Sequence, residues 1–281
     1  MKRFLSTLGL APFTVYIFFF LAVPTVLAIG SGFSNENGFT LANLGVLTTP
    51  ATLGAFGASI WVSVITALVG AVIGAILCWA LAALPESGPL RRVIDAASSV
   101  LAQFGGVMLA FAFVATIGIQ GLITVMLRER LGVDMYADGV WLYELPGLIL
   151  PYVYFQVPLM VITFLPAIIA LKPGWAEAVA TLGGTSFSYW TRVGLPVLAP
   201  AFLGSLLLLF ANAFSSYATA AALISQGSQI VPLQIRAALI GETGGSNSAS
   251  AGVLALGMII VMTLVMLAYG RLMARAGRWQ R

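Results

Sequence analysis

Long apolar runs, each broken by a short cluster of polar residues, glycine or proline, set the rhythm of the chain. Six such runs occur, at roughly residues 10–30, 53–83, 97–120, 145–170, 197–223 and 250–272. The hydrocarbon core of a bilayer, about 30 Å thick, is crossed by about 20 apolar residues of helix, so each run predicts one spanning helix. Pro24, Pro151, Pro158, Pro166 and Pro200 fall inside or at the edge of these runs. Within a membrane such prolines kink a helix without ending it, because neighbouring helices re-satisfy the freed backbone. The pattern predicts an all-α, polytopic membrane protein with six transmembrane helices. Residues 1–52 hold the first helix and an outer loop, and residues 53–281 hold the other five.

Lys2 and Arg3 precede the first run, as basic residues do in a secretory signal. The run over 8–29 is longer than a usual signal core and lacks a clear small-residue cleavage site, so an uncleaved first span is expected.

The polar clusters between runs give an orientation. Lys2, Arg3, Arg91, Arg92, Lys172, Arg192, Arg271, Arg275, Arg278 and Arg281 fall on one side, and Arg128, Arg130 and Arg236 on the other. Ten basic residues against three place both termini in the cytoplasm. Glu36, Glu129, Asp134, Asp138, Glu144 and Glu242 then lie outside, in loops at 31–52, 121–144 and 224–249. The middle loop mixes charges with leucine and tryptophan and suits a short surface helix. The last, GETGGSNSAS, is flexible by composition.

Composition narrows the chemistry. Of 281 residues 60% are hydrophobic and 8% charged, far from the roughly 25% charged content of a soluble domain. The formal net charge of +4 follows from topology and needs no nucleic-acid partner. There is no histidine, which removes Ser-His-Asp and Cys-His nucleophile systems and HExxH zinc sites together. The single cysteine, Cys78, forms no intrachain disulfide. Neither lysine, Lys2 or Lys172, follows a glycine, so the chain has no phosphate-binding P-loop. No metal site is expected.

The most informative polar stretch is residues 177–196, EAVATLGGTSFSYWTRVGLP. Pro173 suits a helix's first turn, and Glu177 then falls near the positive end of the helix dipole. Gly183-Gly184 stops that helix, since glycine takes the left-handed conformation that closes a C-terminus. Thr185 or Ser186 can cap a second helix, and Gly194 with Pro196 marks re-entry into the membrane. Ala178 and Leu182, four apart, form an apolar edge. A small element with one carboxylate and an apolar edge is suited to a partner's groove. The plainer alternative is that Glu177 only complements the dipole and the glycines make an ordinary turn.

Glu177, Ala178, Gly183, Val193, Leu195 and Pro196 carry a resemblance. Their spacing resembles the EAA loop of the permease subunits of type I ABC importers, binding-protein-dependent transporters, with Val179 in place of a second alanine and Val193 in place of isoleucine. The resemblance covers about residues 55–270 as a five-helix permease core, the coupling loop falling at 171–196. It implies that Glu177, Ala178, Leu182, Gly183, Gly184, Leu195 and Pro196 couple the membrane helices to a cytoplasmic ATPase. It further implies two ATP-binding subunits, a second and different permease chain, an extracytoplasmic substrate-binding protein, and no cofactor on this chain, ATP and Mg residing on the partner. The FANAFSSYATAAALI segment is similar to the spermidine/putrescine branch, which points to a polyamine or another small solute.

Polar residues inside the runs are candidates for a translocation path: Gln103 in the third, Tyr152 and Gln156 in the fourth, and Asn212, Ser215, Ser216 and Tyr217 in the fifth. The alternative is hydrogen bonding between helices, worth about 0.6 kcal/mol each. Tyr136, Asp134 and Asp138 could meet a binding protein or stand in a solvated loop. An ion-coupled secondary transporter or channel would want buried ionisable groups or an inverted repeat. An intramembrane protease would want a general base. Neither requirement is met in the runs.

Overall fold

A computed structural model describes residues 2–35, 38–85, 87–224, 230–241 and 247–276. Glu36, Glu242, Arg278 and Arg281 of the charge balance, and half of the GETGGSNSAS stretch, lie outside the described residues. Helix α1 runs as Lys2–Ile17, one π-turn at Phe18–Ala22, and Val23–Ser31. Strands β1 (Ser34–Asn35) and β2 (Gly38–Phe39) pair antiparallel, Ser34 opposite Phe39. Helices α2 (Pro50–Ala82), α3 (Pro89–Leu101), α4 (Gly106–Ile117), α5 (Leu122–Leu131), α6 (Ile149–Ile169) and α7 (Pro173–Thr181) follow. Helix α8 starts as Ser186–Tyr189, passes a π-turn at Trp190–Gly194 and continues as Leu195–Phe214. Then come α9 (Ala218–Leu223), α10 (Val231–Ile240) and α11 (Ser248–Ala276).

Among the described residues six stretches are long and apolar enough to cross a membrane: Leu10–Ser31, Pro50–Ala82, Gly106–Leu131, Leu145–Ile169, Ser186–Phe214 and Ser248–Arg271. Two differ from the apolar runs of the sequence. The third begins at 106 instead of 97, because Ser98, Ser99, Gln103 and the glycines at 105 and 106 interrupt the run and α3 becomes a separate helix. The short helix in the 121–144 stretch is α5, which falls inside the third apolar stretch, Gly106–Leu131, and not after it. The fifth ends at Phe214, where Ser215, Ser216 and Tyr217 break the helix. Its helix also begins earlier, at Ser186, since a π-turn carries it through Gly194 and Pro196, Leu195 N–H donating to Trp190 O.

Helix α3 is amphipathic in an unusual sense. Arg91 and Ser98 are buried, while Leu90, Val93 and Val100 face outward. Buried Arg91 is satisfied on both ends of its guanidinium. Its Nε–H donates to the Asp95 carboxylate at 3.0 Å and its Nη1 to Leu81 O at 2.7 Å.

By contacts the described chain divides into two compact units, Met1–Gly57 with Ser228–Met262, and Ala58–Gly227 with Thr263–Arg281. The boundary drawn at 52/53 falls inside the continuous helix α2 and within the first unit. The core of the first unit is Ala55, Val231 and Leu254, with Phe56 and Met258 packed against them. Ser31 Oγ donates to Ser248 O at 3.0 Å, and Gln234 Nε2 to Ala51 O at 3.1 Å. In the second unit α6 is the central element, burying Tyr152, Phe155, Gln156, Met160 and Phe164. It packs against α3 and α8. Its approach to α2 is close because Gly70 and Gly74 present no side chain there: a Cβ on Gly74 would lie 2.5 Å from that of Met160.

Candidate functional site

The stretch between α6 and the membrane portion of α8 folds as a helix, a glycine turn and a second helix. Lys172 is extended, and Pro173 opens α7 with the φ it already owns. The helix closes in a Schellman arrangement: Gly184 N–H donates to Val179 O at 2.9 Å and Gly183 N–H to Ala180 O at 3.0 Å. Gly183 holds the left-handed φ of +76° that this closure requires. Thr185 then caps the next helix, its Oγ1 accepting from Ser188 N–H at 3.3 Å.

The side chains of this element point away from the protein. Leu182 is 88% exposed and Phe187 77%, with Trp175 partly exposed beside them and Ala178 open too. Large apolar side chains left exposed together on a polar connection are the kind of surface that protein, membrane or ligand contacts use. Glu177 lies beyond the first turn of α7, so the dipole contribution expected of it is small. Its carboxylate is exposed and makes no ion pair among the described residues. Gly184 packs on Val179. Leu195 and Pro196 belong to α8, and Leu195 lines an apolar cavity of about 450 Å³ with Trp79, Phe164, Ile168 and Trp190.

The residues expected to line a path separate into two groups. Tyr152 and Gln156 are closed inside the chain, 1% and 0% exposed. Tyr152 donates its hydroxyl to Ser216 O at 3.0 Å, and Gln156 Nε2 to Thr66 Oγ1 at 2.9 Å. Gln156 Oε1 has no conventional partner and faces Gly70, where a Cα–H is the available weak donor. In this structure both side chains bond to neighbouring segments of the chain. Asn212 is half-buried, Ser216 likewise, and Ser215 and Tyr217 are exposed. Ser215 returns its hydroxyl to Ala211 O at 2.9 Å. Gln103 is exposed, but in the turn between α3 and α4 and not within a span, because the run breaks there.

Two residues that sequence reading passed over carry much of this arrangement. Thr66 receives Gln156, and Thr219, fully buried, bonds to Gly106 across 113 positions. A threonine buried in an apolar helix is visible in sequence, but its partner is not.

The 132–144 loop is tied by hydrogen bonds within itself and to the end of α4. Tyr136 donates its hydroxyl to Ile117 O and stacks on Trp141 at 6.0 Å, while Trp141 Nε1 donates to Met135 O at 3.1 Å. Asp134 accepts from Tyr136 N–H at 2.9 Å. Burial, with Tyr143 nearby, pushes the Tyr136 phenol above its ordinary pKa. Asp138 remains exposed. Among the described residues no group of three or more Cys, Asp or Glu side chains is placed to hold a metal.

No family model matches the chain. It is similar to a probable sulfate transport system permease protein of Nephroselmis olivacea, 26% identical over 211 residues that make up 70% of this chain and 67% of the relative. Sulfate transport system permease proteins of Salmonella typhimurium and Escherichia coli are each 24% identical over 174 residues, 61% of this chain and 59% of theirs. The chain thus spans between 59% and 67% of the length of these relatives. In fold it matches a chain of a bacterial ABC transporter that imports the acidic polysaccharide alginate, with a TM-score of 0.72, 17% identity and 96% of each chain covered. A chain of the MetNI methionine ABC transporter matches with a TM-score of 0.53 at 16% identity, over 82% of this chain and 99% of its own. The fold is that of an ABC importer permease. The polyamine-type branch finds no support: the relatives found are sulfate permeases.

Proposed function

We propose that the chain is the non-catalytic permease subunit of an ATP-driven, binding-protein-dependent importer, and that its cargo is a small oxyanion of the sulfate class. The observation that carries the reading is the exposed element at 173–189. It is a glycine-closed projection whose Leu182 and Phe187 are exposed among the described residues of this chain. A cytoplasmic ATPase that takes this projection into a groove would bury both. Movement would then pass along α8, which is continuous from Ser186 through Leu195 and Pro196 to Phe214.

The partners that follow are two ATP-binding subunits, a second permease chain, an extracytoplasmic binding protein and membrane lipid. ATP and Mg sit on the ATPase, and both termini lie in the cytoplasm. The oxyanion is carried over from the named activity of the relatives. Asn212, Ser215, Ser216 and Tyr217 are the path residues that remain open enough to meet it.

The test is co-purification of the tagged chain from membranes in mild detergent, wild type beside a Glu177→Ala, Gly183→Asp double variant. A P-loop ATPase recovered with wild type and lost with the variant supports the reading. A monodisperse wild-type chain that comes down alone counts against it. ATP-dependent uptake of labelled sulfate by the assembled complex then tests the cargo.

A further inference from the structure

Two breaks in the helical chain meet, one at the start of the third span and one at the end of the fifth. The first lies between α3 and α4, where Gly106 takes a left-handed φ of +72°. The second lies between α8 and α9, at Ser215 to Tyr217. One side chain joins them. Thr219 Oγ1 accepts from Gly106 N–H at 2.9 Å and lies 3.3 Å from Gly106 O, to which its proton can be given. The amide it takes is one of the helix-start donors that no carbonyl within α4 can satisfy. Thr219 is fully buried, so nothing from solvent substitutes for it. Helix α4 packs along α9, and a Cβ on Gly106 would stand 3.4 Å from that of Ala218. The same region of α6 touches both breaks. Tyr152 donates to Ser216 O in one, and a Cβ on Gly105 in the other would meet the Phe155 ring at 3.9 Å.

We propose that Thr219 is a positioning residue for transport: it ties the two breaks into a single hinge, so that α4 and α9 shift together. Exposed Gln103 and Phe104 flank one break and Ser215 and Tyr217 flank the other. Each pair is carried on a segment the threonine holds. With the hydroxyl in place, movement arriving along α8 is passed to the third span at once. Without it, one break can move while the other stays, and ATP is hydrolysed without a matching passage of cargo. This inference rests on the permease reading above.

The test uses the full complex, with ATPase and binding protein, in proteoliposomes. Labelled sulfate is the probe, and the readout is ATP hydrolysed per sulfate taken up. Thr219→Val keeps the shape and removes both hydrogen bonds; the ratio is expected to rise about five-fold or more while stimulated hydrolysis persists. Thr219→Ser restores the hydroxyl and stays within two-fold of wild type. A merely structural role lowers the yield of Thr219→Val but leaves the ratio of the surviving protein unchanged, and that result overturns the inference. If Thr219→Val is not recovered folded, Thr219→Cys, a near-isostere with weak hydrogen bonding, is read against the same criterion.

A second measurement is independent of cargo. Cys78 is the only cysteine and is buried, so spin labels on Phe104→Cys and Tyr217→Cys in a Cys78→Ser background report the distance across the breaks. One narrow distribution is expected with Thr219 in place or with the Thr219→Ser variant, and a broadened one for Thr219→Val. Equal widths overturn the hinge. Absence of ATP-dependent uptake by wild type counts against the cargo or permease reading, and the spin-label result then decides the hinge on its own.

Discussion

The element at 173–189 and the paired breaks at 102–106 and 214–219 both depart from plain spanning helix, and they treat their side chains in opposite ways. The first satisfies its backbone internally, through the Gly183–Gly184 closure and the Thr185 cap, and sends Leu182 and Phe187 outward. The second leaves backbone groups that nothing local can satisfy and draws in Thr219 and Tyr152 from elsewhere in the chain. A buried amide or carbonyl without a partner costs about 1–3 kcal/mol, so a break packed among helices is stabilised when another helix supplies the bond. The projection has no such need, and its apolar residues stay exposed, as the proposed docking of an ATPase requires. On that reading one region is complete within the chain and the other only in an assembly.

The widest test of that contrast is to place a charge on each exposed apolar residue of the projection. Leu182→Asp or Phe187→Asp removes a docking side chain and adds a carboxylate to be desolvated. Recovery of the ATPase should fall by about 30-fold or more for either variant, the scale of an interface hot spot of about 2 kcal/mol. Thermal unfolding of the isolated chain should be unchanged, because both positions are already exposed. Charged variants that still recover the ATPase in full would dissolve the contrast, since the projection would then be an ordinary loop.

A smaller effect sharpens the other side. Gln156 contributes one amide bond to Thr66 and leaves Oε1 without a conventional partner, while Thr66 keeps its own donation to Val62 O at 2.8 Å. Gln156→Met, similar in volume, should change stability by no more than about 1 kcal/mol, in keeping with the small net worth of such bonds in membranes. Gln156→Ala, which opens a cavity at a fully buried site, should cost about 2–4 kcal/mol. Unfolding of the chain in mixed micelles separates the two. Transport by Gln156→Met should stay within two-fold of wild type. A stable Gln156→Met variant that transports nothing would return Gln156 to the path.

How far the sequence led differs between the two regions for a physical reason. The projection is built from neighbours: Pro173, Gly183 and Thr185 each act within five residues, so their chemistry is legible in the order of the chain. Six spans were legible for the same reason, being set by length and apolarity. The breaks were not. Gln103 looked like a residue of the third span because SSVLAQFGG is apolar enough on average, yet the paired glycines and the left-handed Gly106 divide it. Tyr152 and Gln156 looked like path residues because a polar group in a span usually faces the interior. That inference locates the interior but cannot distinguish a channel from a neighbouring helix. Thr219 escaped notice because its partner is 113 residues away.

The smallest effect bears on Glu177, where two explanations of one carboxylate make different predictions. Had it sat in the first turn of α7, the helix dipole would favour it by about 0.3–1 kcal/mol, and neutralising it would weaken the helix itself. It lies beyond that turn and is exposed, so the dipole retains little hold on it. Glu177→Gln should therefore leave the unfolding midpoint of the chain unchanged, while recovery of the ATPase falls a few-fold, as for loss of one charged contact at an interface rim. The reverse outcome, a destabilised chain with undiminished ATPase recovery, would show that the carboxylate serves its own helix and that docking rests on Leu182 and Phe187 alone.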